Sequence, residues 1–513
     1  MGNTEGDVAH LEQARNNNEL EKVDDYAPEE IQNEVRNLND PAWIQAQRRY
    51  LRKLDGIILP AISILYFLEY LDRGNVANAK LYGLDKGYHT SGAGVGPGRE
   101  SLTPKEWQLV VMIFYVGLVL FQVPGCIGYR VFPPSKWIAF GVCGWAIASM
   151  LQDVAFNVGG ELACRVFIGV FEGLFGTGIV YYLSLWYHRT ELGMRVFWFL
   201  GPTAMAGAFG GLIAYGIGHI HTHTTPTWKW LFLIEGIPTF FLGLLMLYWL
   251  PDRPLKNSRF SGMDQEIAVA RYHSESFDRA GKMQMKHFLW VFADWRLYLQ
   301  AAIYLPTAAL LASISGFLPS IVSNLGYKEA TKANLMTVPP YACAFALMFL
   351  ASWSSDRRKE RGIHIAVLMT VATIAYALLA TLPEHQLKGK YACVCIAVAC
   401  VYATYPPTHA WAANNFGNET TRAVGMGLYT AIGNLGSIAG TWFYPSTDAP
   451  QFRKGHYICM GLAIATALLS LGNSFILAAI NRHRDRKFGK PVPGASVDVT
   501  ELADKSPHFR FIT

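Results

Sequence analysis

FLEYLDRGNVANAK, residues 67–80, closes an apolar run that opens near Ile57 with IILPAISILYF and is long enough to cross a bilayer. Within five positions it carries Glu69, Asp72 and Arg73. A charge at the centre of a spanning helix costs roughly 2.5–3.5 kcal/mol even on the lenient insertion scale. At 1.5 Å per residue, Arg73 falls roughly 5–10 Å beyond the middle of its span, too deep for its head group to reach the surface easily. Ionisable groups at such depth line pathways or pair with one another. The planar fork of an arginine suits a carboxylate, and Glu69, one turn earlier, is placed to pair with it along the helix.

The rest of the chain puts that stretch in a membrane. Of 513 residues 51% are apolar and only 16% charged, against about a quarter charged in soluble domains. The charges are clustered, with long apolar gaps between them. A net charge of +6 spread over several segments argues against nucleic-acid binding. The first thirty residues, MGNTEGDVAHLEQARNNNELEKVDDYAPEE, have no apolar core for a signal peptide and read as a disordered polar tail. All eight cysteines lie in apolar spans, where cysteine acts as a small hydrophobe.

Twelve spans are expected, about 56–80, 107–127, 137–153, 161–184, 196–219, 229–250, 297–322, 334–353, 363–381, 391–413, 424–444 and 457–480, each near the roughly 20 residues that a spanning helix needs. The polar stretch 251–296 divides them six and six, which suggests two bundles with a site between them near the midplane. The expected organisation is an all-α membrane protein of two six-helix bundles. A disordered cytosolic tail (1–52) precedes the first bundle (53–250); a central cytosolic loop (251–296), the second bundle (297–480) and a cytosolic tail (481–513) follow. Basic residues at Arg48, Arg49, Arg52 and Lys53, at Arg357–Arg361 and at Arg482–Lys487 place both termini inside by the positive-inside rule.

Several blocks carry a family resemblance over about residues 50–480. YLDRGNVANAKLYGL (70–84), RVFIGVFEGLFGTG (165–178), WYHRTELGMR (186–195), GGLIAYGI (210–217), WKWLFLIEGIP (228–238), WAANNFGNETTRA (411–423) and YPSTDAPQFRKGHY (444–457) resemble those of the fungal allantoate permease family. These are anion:cation symporters of the major facilitator superfamily. SDRRKERG (355–362) is similar to the superfamily's Asp-Arg loop. The corresponding first-half loop, GCIGYRVFPPSK (125–136), has Tyr129 where the superfamily pattern has Asp. The resemblance implies the major facilitator fold and no enzyme activity. It implies proton-coupled uptake of a small organic anion, a carboxylate such as allantoate, nicotinate or pantothenate, by a plasma-membrane monomer. An exporter of a secondary metabolite and a non-transporting nutrient sensor are the alternatives; Gly201–Pro202, similar to the fifth-span motif of exporters, supports the former.

The candidate site residues follow. The resemblance makes Arg73 the anion contact and Asp72 a proton site. Arg165 and Glu172, seven residues apart, share a helix face, and Glu172 falls near the centre of its span. A carboxyl there pays heavily for ionisation, so competition between it and substrate for one cation would couple protons to the anion; a fixed Arg–Glu clamp is the alternative. Tyr304, His409, Asn414 and Asn434 are polar groups within later spans that could hydrogen-bond substrate. Asp356, Arg357 and Arg361 form the expected gating loop, with Asp356 placed to cap a neighbouring helix N-terminus. Neither HIHTHTTP (219–226), which lacks a carboxylate or cysteine nearby, nor Cys393–Cys395 suggests a metal. GAGVGPG (92–98) lacks the strand and helix of a nucleotide loop, so no cofactor is expected. The inside orientation puts the sequon Asn418-Glu-Thr420 in an inner loop, where it stays unglycosylated. A glycosidase-sensitive gel shift that disappears in Asn418→Gln would reverse the orientation.

Overall fold

A computed structural model describes residues 41–84, 102–155, 157–188, 191–219, 225–254, 259–275, 285–327, 329–383, 385–417, 419–445, 448–490 and 502–513. The glycine-rich stretch 92–98, most of the histidine loop and Asn418 lie outside them. The spans of the first half are α1 (Pro41–Leu81), α2 (Pro104–Val131), α3 (Pro134–Leu151), α4 (Val158–Trp186), the pair α5 (Leu192–Leu200) and α6 (Pro202–Ile217), and α7 (Thr227–Trp249). Two short helices, α8 (Met263–Glu275) and α9 (Met285–Phe292), occupy the central loop. The second half has α10 (Trp295–Asn324), α11 (Ala330–Leu335) with α12 (Val338–Arg358), and α13 (Gly362–Thr381). It continues with α14 (Leu387–Ala403), α15 (Tyr405–Asn414), α16 (Glu419–Gly440) and α17 (Arg453–Phe488).

Eleven helical stretches among the described residues are long and apolar enough to cross a membrane. The twelfth expected span corresponds to α16, whose 22 residues ETTRAVGMGLYTAIGNLGSIAG are too polar to register by apolarity. It needs little apolarity because it is packed between α10 of its own half and α2 of the other. Two spans are broken inside the membrane. Pro202 starts a new helix after Gly201, and Pro406–Pro407 open α15 after Thr404. A proline has no N–H to continue the ladder and fits only a first turn.

The halves are built by close backbone approach. In α4, Gly169 and Gly173 form a Gly-x-x-x-Gly face against α2; a Cβ on Gly169 would lie 2.0 Å from the Phe114 carbonyl oxygen, and one on Gly173 2.8 Å from that of Leu118. In α16, a Cβ on Gly436 would lie 1.9 Å from the Leu305 carbonyl oxygen of α10. Small residues of this kind let spanning helices meet where no hydrophobic effect drives them together. The halves contact one another along α2–α16, α1–α10 and α5/α6 against α11/α12.

Two terminal segments are packed against the rest of the molecule. The first helix begins at Pro41 rather than in the mid-fifties. At 1.5 Å per residue its 41 residues reach ~60 Å, twice a hydrocarbon core. The protruding turns are fixed, not disordered: Tyr50 is buried with its ring 5.3 Å from Phe260, Lys53 pairs with Asp264 of α8 at 2.7 Å, and Arg195 pairs with Asp55 at 3.1 Å. At the other end, residues 502–513 return to the second half as a strap. Asn481 and Phe511 exchange hydrogen bonds of 2.8 and 3.0 Å. Asn415 and Ile512 exchange bonds of 2.9 and 3.1 Å. Trp411 donates to Ile512 at 2.7 Å, and the Arg361 N–H donates to Thr513 at 2.7 Å. These contacts lie on the face that carries Arg48–Lys53, Arg357–Arg361 and Arg482–Lys487, hereafter the basic face.

The packing predicts an asymmetry between glycines. Gly169→Val overpacks the α2–α4 seam, costs about 1–3 kcal/mol and lowers both solubilised yield and unfolding temperature in detergent. Gly216→Ala, with nothing within 4 Å, leaves both unchanged.

Candidate functional site

At about 100° per residue, Tyr66, Glu69, Tyr70 and Arg73 form one stripe of α1, whereas Asp72 and Asn75 lie on another. The two stripes meet different partners. Arg73 sits between two carboxylates: its Nη2 contacts Glu69 and lies 2.5 Å from Glu172 Oε2, and its Nε donates to the same oxygen at 3.2 Å. Glu69 and Glu172 are 2% and 0% exposed. Each leaves its second oxygen buried without a hydrogen-bond partner, so the pair outnumbers the cation it holds. The guanidinium also lies over Tyr70 at 4.3 Å and Phe114 at 5.2 Å, contacts in which the ring face attracts the cation.

The second stripe faces the interior of the first half. Ser149 of α3 donates to Asp72 at 2.5 Å, and Asn75 donates to Glu235 of α7. Among the described residues Asp72 makes no ion pair with Arg73. The reason is geometric: consecutive residues of a helix point about 100° apart. Arg165 shares a helix face with Glu172, but the carboxylate has turned to Arg73. Arg165 is buried, stacks 5.3 Å from the Phe114 ring and feels Asp72, Glu161 and Glu172 electrostatically.

The second half closes the site. Tyr405, the first residue of α15, accepts from Tyr70 at 3.2 Å and shares a 2.9 Å hydroxyl contact with Tyr66, joining the halves through phenols. His409, one turn on, donates its Nδ1–H to the Tyr405 carbonyl at 3.2 Å and lies edge-on to Tyr304, 4.7 Å between centroids. Tyr304 donates to Asn434 at 3.2 Å. Glu69, Arg73, Glu172, Tyr304, His409 and Asn434 line one cavity of about 30 Å³, room for about one or two waters and too little for an organic anion. Asn414 is not with them. It is buried at the end of α15, well over a turn beyond His409, and lines no part of this cavity.

The loop on the basic face is held by an ion pair and by the other half. Asp356 pairs with Arg361 and packs against the first turn of α5, where any side chain on Gly193 would strike its carboxylate. That contact crosses from one half to the other at a helix N-terminus, where a negative charge is favoured. Arg357 instead stacks on Trp353, 5.6 Å from the ring centre. In the first half, Tyr129 is fully buried and donates to the Phe175 carbonyl at 2.9 Å.

A cavity between two helical halves, closed by a charge cluster in the first and aromatic polar groups in the second, defines a membrane transporter. The Major Facilitator Superfamily model matches residues 62–441, and the chain belongs to that superfamily. The MFS transporter prlL of a fungal species (strain NRRL 50135) is 33% identical over 459 residues, 88% of this chain and 90% of prlL. The major facilitator-type transporter hxnP of Emericella nidulans is 30% identical over 482 residues, 91% and 93% of the two chains. Among solved structures, the proton:xylose symporter XylE superposes with a TM-score of 0.62 at 15% identity, covering 85% of this chain and 97% of XylE. The E. coli fucose:proton symporter FucP gives 0.55 at 14% identity, with 82% and 99% covered. At such identities these two structures speak to the fold alone.

Sequence reasoning left the role of Glu69 open and missed Tyr66, Tyr70, Tyr405 and Glu235. The 66–69–70–73 spacing was the available signal for the first two tyrosines, and a lone carboxylate inside WKWLFLIEGIP for Glu235. The site also makes a stability prediction. Arg73→Ala leaves two buried carboxylates uncompensated, a loss of about 3–5 kcal/mol, and lowers monodisperse yield. Adding Glu172→Gln restores part of it. Equal yields from the single and double variants would show that Arg73 is not what neutralises Glu172.

Proposed function

We propose that the chain is a proton-coupled importer of a small organic anion, a carboxylate-bearing metabolite or vitamin acid, of the allantoate permease type. It would work across the plasma membrane with its basic face in the cytosol. The observation that carries this reading is Arg73 held between Glu69 and Glu172 in a cavity shared by both halves. One proton on the carboxylate pair makes the empty site neutral. A substrate carboxylate that takes the guanidinium fork displaces one glutamate, which must then take a second proton to restore neutrality. One proton thus accompanies each anion.

The remaining groups fit this scheme. Tyr304, His409 and Asn434 supply hydrogen-bonding and ring surface on the side opposite Arg73, which would orient the body of the substrate. Arg165 and Asp72 set the field around the carboxylates from inside the first half and do not touch the anion in this closed state. The cavity of about 30 Å³ is the contracted site; substrate enters when the halves separate at one face. Asp356 and Arg361 act as the latch whose release opens the basic face, with Arg357 as its flank. Export of a metabolite is the second reading, favoured by the break at Gly201–Pro202 in the fifth span.

Reconstituted vesicles test the proposal. Under an inward proton gradient the wild type accumulates substrate; accumulation only against the gradient would establish export. Glu172→Gln mimics the protonated acid permanently, so it keeps anion exchange and loses uphill accumulation. If it still concentrates substrate as the wild type does, Glu172 has no part in coupling. Arg73→Lys keeps the charge but loses the fork, which weakens apparent affinity by ~1–3 kcal/mol at near-normal membrane expression. Unaltered affinity in that variant would remove Arg73 from the anion site.

A further inference from the structure

On the basic face, between the start of α10, the end of α17 and the strap 502–513, lies a cavity of about 290 Å³ whose lining includes Trp290, Trp295, Arg296, Arg484 and Lys505 and one carboxylate, Asp294, against about 30 Å³ at the centre. Its three cations are not equally neutralised. Arg296 pairs with Asp294 at 2.9 Å and with Asp504. Arg484 gives its N–H groups to the carbonyls of Asp504, Ser506 and Phe509, at 3.1, 3.3 and 2.7 Å, and forms no ion pair among the described residues. Lys505 holds its Nζ 4.0 Å from the centre of the Trp290 ring, likewise with no ion pair among the described residues. Asp485, the neighbouring carboxylate on α17, is taken by Arg510 at 2.8 Å. Two cations without carboxylate partners therefore face one roomy cavity.

The cavity also lies where the protein meets lipid. Trp295 is half exposed, and Leu289, Phe292 and Tyr298 are exposed beside it. Exposed tryptophan and tyrosine next to apolar surface mark the membrane–water boundary. Basic pockets between spans at this level hold anionic head groups. We infer that this cavity is a binding site for a phosphate group, carried by an anionic phospholipid or by a soluble phosphate ester. Arg484 and Lys505 provide the charge, and Trp290 and Trp295 flank the remainder of the ligand. Because Lys505 and Phe511 belong to the strap that ends on Arg361, an occupied cavity holds the strap against the loop that bears the latch.

The full chain in phosphatidylcholine nanodiscs, with and without phosphatidylinositol 4-phosphate, tests the inference. Lipid retained through purification is counted by mass spectrometry, and soluble inositol bisphosphate is added in a parallel arm with thermal unfolding as readout. Lys505→Gln removes one cation without removing a hydrogen bond, and Lys505→Glu reverses it. Phosphoinositide enriched over phosphatidylcholine, about fivefold less so in Lys505→Gln and abolished in Lys505→Glu, supports the site with lipid as source. Stabilisation by inositol bisphosphate in phosphatidylcholine alone, lost in both variants, supports it with a soluble ester as source. Absence of both effects, or effects equal in wild type and both variants, overturns it.

Discussion

Everything at the centre of this molecule turns on one guanidinium with two claimants. Arg73 cannot stand bare in a low-dielectric interior, and neither can Glu69 or Glu172. Their mutual contact permits all three to exist there. Two buried acids against one base leave a charge imbalance that only a proton or a cation can remove. On the proposed reading, that imbalance is what ties the site to protonation. Tyr66, Tyr70, Phe114 and Tyr405 crowd the cluster and leave beside it a cavity of only about 30 Å³.

The helices around that cluster are discontinuous where discontinuity serves it. Pro202 and Pro406–Pro407 restart their spans inside the membrane, a tolerated defect where the freed backbone is buried in protein. The second restart places Tyr405 at the head of a new helix and His409 one turn on, so both reach the cavity from a single turn. The polar helix α16 belongs to the same economy. Its composition would be unfavourable against lipid, but between α10 and α2 it contributes Asn434 and a glycine surface for close approach.

Much of this was legible in the chain. Eleven of the expected spans are apolar runs among the described residues, and the charges of helix one pointed either to a site or to a pair that pins helices. What was not legible is which of several nearby groups pair. Arg165 and Glu172 share a face by spacing, yet the glutamate turns to α1, a choice made by tertiary packing. Asp72 and Arg73 are neighbours in sequence and point to different helices, which the periodicity of 66, 69, 70 and 73 could have revealed. Asn414 looked equivalent to His409 until α15 placed it beyond the cavity. The strap 502–513 has no period at all. Its bonds run to side chains of Trp411, Asn415, Asn481 and Arg484, which no local pattern can foretell.

Tyr129 marks a difference between the two halves. Where the second half places an ionic contact, Asp356 with Arg361 against α5, the first half places a phenol sealed among helices. Arg361 is buried and Asp356 only slightly exposed, so salt screens this ion pair weakly. The two halves therefore differ at this level: a buried phenol closes one and an ion pair closes the other. The ion-paired loop is also tied through the Arg361 N–H to the strap, at 2.7 Å from Thr513.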